Sequence, residues 1–293
     1  MNNEIIEIER ADFPDKLKNI KNAPKKLYAK GNINLLYEKN FAIVGTRRIT
    51  EYGENNCKFF AKELALRDIP IVSGMALGTD SIAHKTCLEN EGKTIAVMGS
   101  GFCNIFPKAN LSLYQNIIDN DGLVITEFEN QEKPVKENFP KRNRIVTAIS
   151  EGILVIEAGY RSGTSITVKN AKMQGKKVFA LPGKLDSCVG IGVNKMIKNG
   201  AILTTNIEDI LEYYPDFNQR KRRNINRKIN LNIKPEYIQI YNSLLDKEKN
   251  LDELVMQFNM NLRELLKLLT NMEIDGIIEK DLGIYRIVEK DNI

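Results

Sequence analysis

Residues 134–150 read PVKENFPKRNRIVTAIS. Phe139 stands directly before Pro140, and Lys141, Arg142 and Arg144 crowd the start of a segment whose later residues, Ile145, Val146 and Ile149, have helical apolar spacing. Pro140 suits a first helical position. A helix N-terminus already carries about half a positive charge, so three cations there are unfavourable unless a negative group lies close by. Cations interleaved with a ring suit an unpaired nucleic-acid strand: phosphates take the charges, and a splayed base stacks on the aromatic face for roughly 1–3 kcal/mol. On this reading phosphate supplies the missing negative charge.

Other loops carry similar cargo. VGTRRITEYG offers Gly45, Thr46, Arg47 and Arg48; VSGMALGTD offers Ser73, Gly74 and Gly78; MGSGFCNIFPKAN offers Gly99, Gly101, Lys108 and Asn110; YRSGTSIT offers Ser162, Gly163 and Thr164. Glycine permits close backbone approach and helix N-termini present unpaired N–H groups, so each loop is a potential anion cradle. One such loop also serves merely to bend the chain. Four on one edge, with cations beside them, point to a shared ligand.

The elements that must position them follow from periodicity. FAIVG (41–45), IPIVSG (69–74), TIAVMGSG (94–101), GLVITEF (122–128), GILVIEA (152–158) and KVFALPG (177–183) are continuous apolar runs alternating with helical patterns, and GAILTT (200–205) has the look of an edge strand. This predicts an α/β domain, a Rossmann-like doubly wound and mostly parallel sheet whose carboxyl rim gathers the loops. Residues 1–40, with a helix-like piece around Lys16–Lys25, are expected to pack on the sheet's edge. Residues 1–217 are assigned to this domain, 218–233 to a basic linker and 234–293 to a small C-terminal winged-helix domain, with Asn250 capping its second helix and Leu262, Leu265, Leu266 and Leu269 as core.

Charge is divided unevenly along the chain. Residues 234–293 hold 8 Lys and Arg against 12 Asp and Glu, whereas residues 1–233 hold 35 against 26. Six of those cations lie in RKRRNINRK (220–228). The surplus on the larger part favours a polyanionic partner there, and the acidic tail argues against groove reading by the winged helix.

Several classes are excluded. GSGFCN lacks the third glycine of a dinucleotide fingerprint, and no GxxxxGK[ST] phosphate loop occurs. The single histidine, His84, gives histidine catalysis or zinc chemistry little to use and is read as a surface or packing residue. Asp80, Glu127 and Glu157 are too scattered for a metal cluster and are read as capping or loop residues. Cys57, Cys87, Cys103 and Cys188 lack metal-type spacing and read as free thiols in a reducing cytoplasm. No apolar run approaches a membrane span. No catalytic residue, metal or cofactor is expected.

GTRRITEYG, SGMALGTDSIAHK, GSGFCNIFPKANLSLYQNI, NFPKRNRIVTAIS, EAGYRSGTSIT and FALPG, followed by GVNKMIKNGAIL, resemble in order the DNA-processing protein family DprA, also called Smf. The resemblance covers about residues 13–217. It implies a single-stranded DNA-binding protein without strong sequence preference, dimeric through the sheet domain, that protects incoming DNA and helps load a RecA-type recombinase during natural transformation. By the family's motifs the DNA-contacting set is Thr46, Arg47, Ser73, Gly74, Gly101, Lys108, Asn110, Phe139, Arg142, Asn143, Arg144, Ser162 and Gly163. Asn143 and Arg144 could equally bond neighbouring carbonyls and orient the loop. Thr79, Phe106 and Ser165 depart from the family's usual Ile, Tyr and Leu. The helical domain that precedes the sheet in some members is expected to be missing. The family's dimer region corresponds to the GKKVFALPG strand and the NKMIKNGAIL helix. The rival reading is a nucleotide phosphoribohydrolase-like enzyme of the lysine-decarboxylase-like group, in which Thr167 would replace the glutamate that does acid–base work.

Overall fold

The computed structural model describes residues 4–160, 162–223, 234–246, 248–258, 260–281 and 283–288. The chain divides into two compact units, Met1–Ile225 and Asn226–Ile293. In chain order the first half of the larger unit comprises β1 (Ile6–Glu9), α1 (Asp15–Lys18), β2 (Lys26–Gly31), β3 (Asn40–Val44), α2 (Glu51–Ala65), β4 (Ile71–Ser73), α3 (Thr79–Glu89), β5 (Thr94–Val97), α4 (Leu111–Asp119) and β6 (Leu123–Thr126). There follow α5 (Asn138–Ala148), β7 (Ser150–Val155), α6 (Gly163–Met173), β8 (Lys177–Ala180), α7 (Gly190–Lys198), β9 (Ile202–Leu203), α8 (Glu208–Leu211) and α9 (Pro215–Asn218).

Among the described residues, nine strands form one sheet in the order β1-β2-β6-β5-β4-β3-β7-β8-β9. From β6 to β9 every pairing is parallel. The apolar runs are strands because helices cover both faces and leave every residue of β3, β4, β5 and β6 buried. Successive strands β3 to β6 progress one way, and β7 returns to the other side of β3. The carboxyl ends of β3 and β7 therefore flank a topological switch point, where open α/β sheets hold their ligands. Apolar residues of α5, α6 and α7 pack on one face, and those of α2, α3, α8 and α9 on the other.

The N-terminal segment does more than cover an edge. Its helix is a single turn, α1, and its two strands extend the sheet itself: β1 pairs antiparallel with β2, and β2 with β6. The basic run is likewise only partly a linker. Arg222 pairs with Glu63 at 3.0 Å, and the Arg223 guanidinium donates to Ala65 O at 2.9 Å while its backbone N–H donates to Leu66 O at 2.6 Å. A cation there meets the negative end of α2 and satisfies its last carbonyls. Arg227 and Lys228 lie outside the described residues.

The smaller unit contains α10 (Ile238–Asp246), β10 (Lys249–Asn250), α11 (Leu251–Phe258), α12 (Leu262–Ile274), β11 (Ile278–Asp281) and β12 (Ile284–Ile287). Its sheet order, β10-β12-β11, completes a winged helix. Asn250 Oδ1 accepts from Glu253 N–H and Glu253 accepts from Asn250 N–H, both at 2.9 Å, a reciprocal capping box that starts α11. Leu265 and Leu269 are core as expected, but Leu262 and Leu266 are 49% and 37% exposed. The two exposed leucines belong to the outer face of α12, one turn apart, because the 262–269 stretch carries more leucines than one helix stripe can bury.

His84 is a packing residue. Its Nδ1 lies 2.6 Å from Thr94 Oγ1, which itself donates to Ile71 O at 2.8 Å, so Nδ1 carries the proton and the ring is neutral. Burial, followed by the nearby Arg142 charge, lowers its pKa from 6.5 to about 3. A histidine depressed in the fold leaves stability intact above the unfolded value and removes it as pH falls toward the folded one. His84→Gln should therefore flatten the acid limb of denaturant-measured stability, which in the native chain loses up to about 1.4 kcal/mol per pH unit from this group between roughly pH 6 and 4.

Candidate nucleic-acid interface

The loops at the carboxyl rim converge as their glycines require. Gly78 has φ +74°, and a Cβ on it would lie 2.6 Å from Thr46 O and 2.8 Å from the Arg47 carbonyl, so the loop after β4 presses directly on the loop after β3. Thr79 reinforces that contact, its hydroxyl donating to Thr46 O at 3.1 Å. The departure from isoleucine at this position thus adds a hydrogen bond behind the Arg47 loop. Thr46 Oγ1 accepts from Arg48 N–H at 3.2 Å and closes the turn. Thr164 Oγ1 donates to Gly45 O at 3.0 Å and ties the first turn of α6 to the same loop.

Arg47 is exposed there, and its guanidinium carbon lies 5.3 Å from the centroid of the Phe139 ring. This is cation–π distance. Phe139 is half-buried: its ring packs on the bare backbone of Gly99, where a Cβ would come within 2.9 Å. The Phe106 ring, 43% exposed, lies 5.7 Å from it at 49°. Lys108 begins a short 3-10 turn two residues further on and is exposed. Arg47, Lys108 and Phe139 thus share one rim and remain open to solvent. Gly163, at the start of α6, is exposed with open space around it. The neighbouring Ser162 is half-buried, with its hydroxyl unpartnered among the described residues.

The remaining predicted residues form the scaffold beneath. Ser73 is fully buried and donates to Ile43 O at 2.7 Å; Asn110 is buried and donates to Met75 O at 2.9 Å; Gly101 is buried against the carbonyls of Glu129 and Asn130. Arg142, expected to meet phosphate, is only 3% exposed. Its guanidinium donates to Gly74 O and Val97 O, at the carboxyl ends of β4 and β5, and Nε donates to Asn143 Oδ1 at 3.2 Å. The Asp80 carboxylate and this guanidinium both lie 2.7 Å from the point a Gly74 Cβ would occupy, so Gly74 is the gap through which they face each other. Burial lowers the Arg142 pKa to about 10, Asp80 opposing and Arg47 adding to the shift, so the group stays charged at neutral pH. Burial likewise raises Asp80, with Arg142 pulling it back.

Arg144 is engaged as well. It makes a two-pronged pair with Glu127, Nη2 to Oε2 at 2.6 Å, and donates to Asn22 O at 2.8 Å and Lys141 O at 2.7 Å. The negative charge that α5 needs is therefore supplied by Asp80 and Glu127 of the protein itself, which corrects the assignment of that role to phosphate. Of Lys141, Arg142 and Arg144, Lys141 is the exposed one. The third scattered carboxylate, Glu157, accepts from Thr50 N–H at 2.9 Å and Thr50 Oγ1 at 2.6 Å, as the start of α2 demands. Among the described residues no group of three His, Cys, Asp or Glu is placed to hold a metal, and no helix is long and apolar enough to cross a membrane.

Sequence reasoning passed over two exposed residues. Phe106, which stands where the family usually has tyrosine, lies two residues before Lys108 and adds an exposed ring beside that cation's turn. Lys136, exposed in the segment entering α5, follows a stretch held to the rim by the Gly101 N–H to Glu132 O bond of 3.0 Å.

Arg142→Met should strip two carbonyls of their donor and leave Asp80 buried without a counter-charge, costing about 3–5 kcal/mol in urea unfolding. Gly74→Ala, which drives a methyl between that pair, should cost about 1–3 kcal/mol.

Residues 4–215 match the model of the family described as DNA recombination-mediator protein A. The DNA processing protein DprA of Streptococcus pneumoniae is 41% identical over 199 residues, spanning 68% of this chain and 70% of the relative. Protein Smf of Escherichia coli is 38% identical over 211 residues, or 72% of this chain, which spans 56% of that relative's length. Among solved structures, the S. pneumoniae protein aligns with a TM-score of 0.68 at 38% identity, covering 72% of this chain and 74% of that one. DNA processing protein A of Helicobacter pylori, whose structure is described for its single-stranded DNA binding mode, aligns with a TM-score of 0.66 at 32% identity, covering 73% and 96%. With its glycine loops, its rim cations and most of its length accounted for by that match, the chain belongs to the DNA recombination-mediator protein A family.

Proposed function

We propose that the rim binds single-stranded DNA without strong sequence preference. The observation that carries this reading is the Arg47 guanidinium over the Phe139 ring, with Phe106 beside it and Lys108 adjacent, on the open carboxyl edge of the sheet. A ring offers a stacking face only to a base freed from its duplex, and the cations take flanking phosphates. Sequence tolerance follows from the kind of contact made. Cations meeting phosphates and ring faces meeting bases read no base edge. The description of the H. pylori relative supports the same ligand.

The polyanion-seeking surplus on the larger unit and the family membership support a wider role. The protein holds and protects single strands in the cytoplasm, acts as a homodimer through the sheet domain, and passes DNA to a RecA-type recombinase during recombination and natural transformation. It does so as a binding protein rather than an enzyme. The phosphoribohydrolase-like alternative is disfavoured because Thr167, buried in α6, stands where that mechanism needs a glutamate.

Arg47→Ala and Lys108→Ala should each weaken binding to every oligonucleotide sequence and reduce the slope of log affinity against log salt by about 0.7–1. Phe139→Ala should weaken binding by roughly ten- to a hundredfold and leave the slope in place, because stacking rather than ion release is lost. Fluorescence anisotropy over a salt series, with single- and double-stranded oligonucleotides in parallel, reads all three. Unchanged affinity in both the Arg47 and the Lys108 variants, or preference for duplex, contradicts the reading.

A further inference from the structure

On the opposite side of the switch point from Phe139, the loop after β7 carries a second ring and cation. Tyr160 is 54% exposed, and Lys195 Nζ, from the second turn of α7, lies 4.3 Å from its ring centroid and 3.1 Å from its hydroxyl oxygen. The platform is firmly backed. Ala158 N–H donates to Val189 O at 2.8 Å, and Gly192 N–H donates to Ala158 O at 3.0 Å. A Cβ on Gly192 would fall 2.2 Å from that carbonyl, so α7 sits directly on the loop backbone.

Between the two rings stands the N-terminus of α6, an 11-residue helix. Ser162, just before it, has a hydroxyl with no partner among the described residues, and Thr164 ties the helix to the Arg47 loop. The order along the rim is therefore ring, cation, helix N-terminus with an unspent hydroxyl, ring, cation. Bases and phosphates alternate in the same way along a strand, and helix N-termini favour phosphate. Phe139 rests on the loop after β5, three strand positions from β7. At about 4.8 Å per strand the two platforms are roughly 14 Å apart, the reach of a few extended nucleotides.

We infer that Tyr160, with Lys195, is a second stacking platform that takes a further base of the strand held at Phe139, so that the bound strand crosses the switch point between the α5 side and the α7 side. This rests on the single-strand reading above and adds the length and path of the footprint.

Anisotropy of the full chain with oligothymidylates of about 2 and about 20 residues separates the two claims, because two nucleotides fall short of the roughly 14 Å between the rings and the longer one exceeds a single-fold site. Tyr160→Ala should weaken the long oligonucleotide about five- to fiftyfold and leave the short one within about twofold, whereas Phe139→Ala weakens both. Tyr160→Phe, which keeps the ring, should behave as the native protein. The inference is overturned if Tyr160→Ala binds the long oligonucleotide normally while Phe139→Ala does not. A changed sedimentation coefficient with unchanged DNA binding would likewise overturn it, assigning the ring to a protein contact. Equal losses at both lengths would refute a separate outer step. Should neither variant lose affinity, the rim reading itself fails.

Discussion

A charged guanidinium withdrawn from water beneath the rim is the constraint on which the site depends. Arg142 reaches from α5 under the loops and bonds the carbonyls where β4 and β5 end, with Asp80 facing it across Gly74. Desolvating such a group costs several kcal/mol, and the fold recovers that only with both carbonyls and the carboxylate in place. Three consequences follow from one side chain. The β4 and β5 termini are held level, α5 is anchored with its first turn at the rim, and Phe139, three residues earlier on that turn, is fixed over Gly99. Nη1 alone serves both carbonyls while Nε holds Asn143, and a lysine, with one nitrogen, would lose that second anchor.

The motif residues consequently fall into two sets with different physics. Ser73, Gly74, Gly101, Asn110, Arg142 and Arg144 are occupied by the protein and set the height and spacing of the loops. Arg47, Lys108 and Phe139 stand above them and face solvent. Such a division suits a surface that must meet many sequences with one geometry: rigidity lies below, and undiscriminating charge and ring faces lie above. It also places Arg47 where Asp80 and Arg142 sense its charge, so the contact layer and its support are electrostatically coupled. A cavity of ≈ 520 Å³ beside α1 and the C-terminal end of α6 is lined by Arg144 but by none of Arg47, Lys108 and Phe139.

The strands of the parallel sheet were legible because most are short apolar, β-branched runs closed by glycine, and burial on both faces allows little else. β1 was not, since IEIE alternates over only four residues and its partner β2 is neither continuous nor alternating in a clear way. The rim could be placed from sequence, as the topology puts every strand end on one edge. What could not be read was which cations were already spent. Arg144 finds Glu127 seventeen residues earlier, and Arg142 finds carbonyls 45 and 68 residues away; no local spacing announces such partners. The same blindness affected Arg222 and Arg223, whose run looked like linker until α2 presented its carbonyls. In α12, counting leucines overstated the core because spacing, not number, decides which face is buried.

Hydrogen–deuterium exchange of the full chain with and without an oligothymidylate tests the central claim most directly. The account predicts new protection in residues 45–49, 99–108 and 136–141, the three segments that bring Arg47, Lys108 and Phe139 together. Protection confined to residues 15–22 and 170–176 beside the cavity under α1, with those three segments unchanged, would contradict it.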